Sequence, residues 1–198
     1  KFQAIQGYLQ LVEELDLPEK QKDYLESAME AGKEADEILG LAKKLKEIEK
    51  SKWIEEKGIT TVLEQVIEDM SGFAEKEEIK IEKNYSDTVS EVKGDYSLSL
   101  LFSQLLLTRI RMSECGTFKI DAKEGEENVF VRIEDDGEPL LEEIKNMFSG
   151  EVYTGETMGV GGVRYYMISQ IAKNNDAEIE VQESELGGAS FDVKLQKA

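Results

Sequence analysis

The sequence predicts an α+β protein in two parts: an N-terminal two-helix hairpin over residues 1–51 and an α/β sandwich over residues 52–198. Three observations predict it. Up to Lys50 the apolar residues recur only at helical spacing. Composition changes near Ser51–Gly58, and beyond it helical and strand periods alternate. The strands read from the sequence fall mostly into antiparallel pairs around short glycine-containing turns.

The first helix covers Lys1–Leu15. Phe2, Ile5, Leu9 and Val12 repeat at steps of three and four, and Tyr8, Leu11 and Leu15 widen the stripe. No capping residue opens it, so the helix is expected to continue upstream of Lys1. Asp16-Leu17-Pro18 ends it. Pro18 suits the first turn of a second helix. That helix runs through Tyr24, Leu25, Met29, Ile38, Leu39 and Leu45 to Ile48, with Gly32 and Gly40 its weak points. A hairpin cannot hide such a stripe alone. Either a homodimer closes a four-helix bundle, or the stripe packs on the rest of the same chain; the length of the second helix favours the dimer.

Beyond the boundary, Trp53-Ile54 is expected as a short strand. Thr60–Ala74 forms a helix with Val62, Leu63, Val66, Ile67 and Met70 inward. Ile79–Tyr85 is a strand. Asp95 caps a long helix whose buried face is Leu98, Leu101, Phe102, Leu105, Leu106 and Ile110. Thr117–Ala122 and Asn128–Glu134 pair as antiparallel strands around Gly125. Leu140–Phe148 is a short helix. Residues 149–160, rich in Gly, Thr and charge, lack apolar period and read as a mobile loop. Gly162–Lys173 is a helix, and Ala177–Val181 with Ala189–Leu195 close the chain as a hairpin around Gly187-Gly188. Trp53, Tyr165 and Tyr166 are expected as core or interface anchors.

Composition narrows the function classes. Lys plus Arg is 24 against 43 Asp plus Glu, a net charge of −19. That balance excludes a general nucleic-acid or membrane-surface binder, which needs basic patches. It leaves room for one local anion site. Histidine is absent, which removes histidine catalysis and most zinc sites within these residues. The single cysteine, Cys115, cannot form an internal disulfide, and a cytoplasmic setting is expected. No apolar run reaches membrane-spanning length, and no signal peptide is visible.

One stretch carries candidate chemistry. Val129, Val131 and Ile133 alternate with polar residues and lead into Glu134-Asp135-Asp136-Gly137-Glu138-Pro139. A half-buried strand thus delivers Asp135 to its end, beside Gly137, whose backbone can come close to a ligand. The plainer alternative is a strand followed by an ordinary turn.

With these parts in order, the chain resembles the catalytic core of sensor histidine kinases. That core is a dimerisation and phosphoacceptor hairpin followed by an ATP-binding domain of the gyrase, heat-shock-chaperone, histidine-kinase and MutL type. Ala4-Ile5-Gln6-Gly7-Tyr8 is similar to the segment that follows the phosphorylated histidine, which places that histidine just upstream of Lys1. Leu101–Ser113 resembles the helix bearing the asparagine box. There Thr108 stands at the magnesium-binding amide, Gln104 at the asparagine one turn earlier and Arg111 at a basic position near the phosphates. Asp135 and Gly137 match the Asp-x-Gly box whose aspartate accepts the adenine amino group, with Pro139 at its second glycine. Phe148 matches a loop phenylalanine. Gly159 and Gly161 match the second glycine-rich box, followed by Gly162, with Val163 at the third glycine and Arg164 at a leucine.

The resemblance implies ATP with Mg2+ as cofactors and phosphoryl transfer to the upstream histidine. From there the phosphoryl passes to the receiver domain of a response regulator. It implies a homodimer through the hairpin and an upstream sensor domain. Because every nucleotide box departs from the pattern, a second expectation stands beside the active kinase: a catalytically inactive phosphotransfer adaptor or dimeric signalling scaffold that does not bind ATP.

Overall fold

A computed structural model describes residues 2–15, 17–48, 55–86, 89–149 and 159–198. The chain divides into two compact units, Lys1–Lys44 and Leu45–Ala198.

The first unit is built from α1 (Phe2–Glu13) and α2 (Glu19–Ile48), which continues beyond the unit's end. Leu17 and Pro18 lie between them, outside either helix. The Pro18 carbonyl accepts from the N–H groups of Gln21 and Lys22, so proline starts the second helix as its fixed φ favours. Ile5, Tyr8, Leu11, Leu15 and Tyr24 are exposed.

The second unit is an α+β sandwich. Its elements are β1 (Glu55–Gly58), α3 (Ile59–Lys76), β2 (Lys80–Asn84), β3 (Glu91–Gly94), α4 (Ser97–Ser113), β4 (Thr117–Glu124), β5 (Asn128–Asp135), α5 (Glu142–Phe148), α6 (Gly159–Asn174), β6 (Glu178–Glu183) and β7 (Ala189–Gln196). Five strands form one sheet in the order β2-β4-β5-β7-β6. The β2–β4 pair is parallel; the other three pairs are antiparallel. β1 and β3 form a separate antiparallel pair, and a bridge between Val92 and Lys197 ties β3 to the chain's end.

Period-two alternation sorts the sheet. Phe118, Ile120, Val129, Val131, Ile133, Phe191, Val193 and Leu195 are buried with Leu98, Leu101, Phe102 and Leu105 of α4 and Ile168 and Ile171 of α6 in one hydrophobic core. The other face is charged, and its side chains pair across strands: Arg132 holds Asp192 through two bonds of 2.6 and 2.9 Å, and Lys194 meets Glu178 at 2.9 Å.

Two sequence expectations shift here. β3 adds a strand that the sequence does not signal; its four residues offer one apolar side chain, Val92, too few to show a period. Gly159 and Val160 belong to α6 and not to the loop before it. Trp53-Ile54 and residues 150–158 lie outside the described residues.

Candidate functional site

The strand-end carboxylate lies at the centre of a buried polar cluster. Asp135 is fully buried, and so is Arg109 of α4. Arg109 Nε donates to Asp135 Oδ2 at 2.7 Å, and Nη2 donates to Oδ1 at 2.8 Å, a fork-to-fork pair. Nη2 also donates to the Glu138 carbonyl at 2.5 Å, and Nη1 to the Tyr165 hydroxyl at 3.3 Å. Four of the five guanidinium N–H groups therefore find an acceptor. Asp135 Oδ1 accepts further from the Gly137 N–H at 3.0 Å and the Ala189 N–H at 3.4 Å.

The backbone closes tightly around this pair. Gly188 donates its N–H to the Asp135 carbonyl at 3.1 Å. A Cβ on Gly188 would lie 2.2 Å from Asp135 Oδ1, and one on Gly137 would lie 2.5 Å from Ser113 Oγ and 2.6 Å from its carbonyl oxygen. Both glycines are thus required for close approach. Phe148, Tyr165 and Phe191 form an aromatic wall, with Tyr165 stacked on Phe191 at 6.5 Å and Phe148 edge-on to both.

The electrostatics follow from burial and the ion pair. Burial is the largest single influence and works against the Arg109 charge, but the hydrogen bonds to and charges of Asp135 and Tyr165 together outweigh it and hold the guanidinium above its ordinary range. Burial raises the Tyr165 phenol, which stays protonated at neutral pH. The same cause pushes the Cys115 thiol up to about 11, so it is an inert core group. Burial would raise Asp136 too, yet N–H donors from Thr117 and Gly116 leave its carboxyl below the ordinary value.

No family model matches the chain, and no curated protein matches its sequence. Solved structures do match. The catalytic domain of the histidine kinase ThkA is 18% identical over 73% of this chain and 96% of its own, with a TM-score of 0.60. The histidine kinase AdeS of Acinetobacter baumannii is 16% identical, covers 100% of this chain and 95% of its own, and has a TM-score of 0.63. Full-length ShkA in complex with AMPPNP is 19% identical over 100% of this chain and 43% of its own, at a TM-score of 0.65. The fold is that of a histidine-kinase core. At these identities the likeness is one of fold.

Within that fold, the predicted site residues separate. Asp135 and Gly137 stand together at the strand end, joined by the 3.0 Å bond. Gln104, Thr108 and Arg111 all lie on α4, but Gln104 is half-buried, Arg111 exposed and Thr108 fully buried. Gly159, Gly161 and Gly162 open α6, and Gly161 and Gly162 are buried there. A Cβ at Gly161 would sit 2.6 Å from Met112 Cε of α4, the end of a flexible side chain that can give way.

Two of these positions, Asp135 and Thr108, do not fit a magnesium nucleotide in the way the histidine-kinase resemblance implies. An adenine amino group would need an acceptor on Asp135, and Arg109 already binds both oxygens of a carboxylate with no solvent exposure. The Thr108 hydroxyl oxygen is buried with no hydrogen-bond partner among the described residues, which is no place for a hydrated cation's ligand. Arg109 was missed by sequence reading. Its signal is phase: it falls seven residues after Phe102, four after Leu105 and three after Leu106, on the apolar stripe.

Proposed function

We propose that the chain is the histidine-kinase-type core module of a two-component signalling system, acting as a dimeric phosphotransfer unit. Its hairpin forms the homodimer. A phosphoacceptor histidine precedes Lys1 in the full protein and exchanges phosphoryl with the receiver domain of a response regulator, under a sensor domain upstream and in the cytoplasm. In the forward step the N–P bond of the phosphohistidine breaks and an O–P bond to the receiver's aspartate forms. The fold shared with ThkA, AdeS and ShkA supports this reading, as does the division into a helical unit and an α+β unit. ShkA is in complex with AMPPNP, which supports the ATP-using form of such a module.

Of the two forms such a module can take, an ATP-using kinase or an ATP-free adaptor, one observation favours the second. The buried Arg109–Asp135 pair occupies the carboxylate that the kinase form needs for adenine. Titrating ATP and ADP into the protein by calorimetry, with and without Mg2+, tests the choice. The adaptor gives no heat up to millimolar nucleotide. The full-length protein would still carry phosphoryl to or from a phosphorylated receiver domain. Magnesium-strengthened binding that is lost in Asp135→Asn would establish the kinase form instead.

A further inference from the structure

The end of β5 is built as a receptor for a planar nitrogen cation, and α4 fills it from within. Every acceptor for the Arg109 side chain comes from outside α4: Asp135 from β5, the Glu138 carbonyl from the turn after it, and the Tyr165 hydroxyl from α6. Host and guest therefore belong to different elements. Part of the host is held by bonds that do not involve the guest. Gly137 N–H and Ala189 N–H fix Asp135 Oδ1, Gly188 N–H fixes the Asp135 carbonyl, and Phe191 stacks on Tyr165. The guest is tethered only by its own aliphatic stem. Arg109 is 2% exposed and Asp135 0%, so no water competes for the fork.

We propose that this cradle is a guanidinium-binding site whose resident ligand is Arg109, and that truncating Arg109 opens it to free guanidinium and amidinium ions. Arg109 is then the residue that decides what the strand-end carboxylate can bind. The inference stands on the cradle alone and not on the phosphotransfer reading.

The test compares wild type with Arg109→Ala by thermal melting in low-millimolar methylguanidinium, with methylammonium as the control cation. The variant melts lower than wild type, and methylguanidinium raises its melting temperature saturably. Methylammonium, lacking the two-pronged donor set, needs a concentration about tenfold higher for the same shift. Wild type shows no saturable shift. If Arg109→Ala does not fold in plain buffer, its folded yield on refolding with and without methylguanidinium gives the same reading, with higher yield expected. The double variant Arg109→Met with Asp135→Leu keeps the volume filled, lacks the acceptor and does not respond. Equal effects of the two cations on Arg109→Ala, no gain in its melting point or refolding yield, or a response in the double variant would overturn the proposal. Receiver-domain phosphorylation reads the proposed function separately.

Discussion

At the residue scale, the deciding pair is Arg109 with Asp135. A buried ion pair is a poor guide to net stability, because desolvating two charges cancels much of their attraction. Removing one partner is another matter. Arg109→Ala leaves a fully buried carboxylate whose remaining bonds are backbone N–H groups. It is expected to lower unfolding free energy by about 3–5 kcal/mol. Replacing both charges with apolar residues, Arg109→Met with Asp135→Leu, is expected to cost far less, within ~2 kcal/mol of wild type. Urea denaturation of the single and double variants measures both. A double variant as unstable as the single would show that the remaining polar groups of the cradle, and not the orphaned carboxylate, set the cost.

At the scale of elements, α4 shows what the sequence reveals and what it hides. Its N-terminal signal is legible: Asp95 Oδ1 accepts the Ser97 N–H at 2.7 Å, so Asp95 ties down the helix start as an aspartate there suggests. What sequence does not show is the tertiary partner. Asn175, in the turn just after α6, accepts the Asp95 N–H at 2.9 Å and donates to Ser97 Oγ at 2.8 Å, some eighty residues along the chain. Asp95→Ala is expected to cost about 1–2 kcal/mol by loss of the cap. Gly188→Ala should be worse than an ordinary turn substitution, because the intruding atom meets Asp135's oxygens and the Gly137 nitrogen, with no flexible neighbour to yield. Unfolding measured on both variants checks the order. The same contrast runs through the fold. The helical periods of α1 and α2 and the alternation in β5 and β7 are written locally, as repeats of apolar residues along one face. The short β3 depends on partners from β1 and the chain's end. Asp135 was legible because a strand ended in a turn. Its occupant was not, since a lone arginine on an apolar helix names no partner 26 residues away.

At the scale of the whole molecule, the helical unit leaves apolar surface uncovered. Tyr8 is 70% exposed and Leu11 60%, with Ile5, Leu15 and Tyr24 also more than half exposed. None of the described helices is long and apolar enough to cross a membrane, so lipid does not cover this stripe through a spanning helix. A second copy would do so economically, because each apolar side chain buried at a symmetric seam would count twice, at about 1.5–3 kcal/mol when fully covered. The protein is therefore expected to sediment as a dimer at micromolar concentration. Lysine at both Tyr8 and Leu11 puts like charges on the seam and is expected to yield a monomer. The α+β unit has its own hydrophobic core, centred on α4 and the five-stranded sheet, so its unfolding transition should be unchanged in that variant. Sedimentation velocity and urea denaturation read the two properties independently. A wild-type monomer, or a double-lysine variant that remains dimeric, would move the dimer contact away from the α1 stripe.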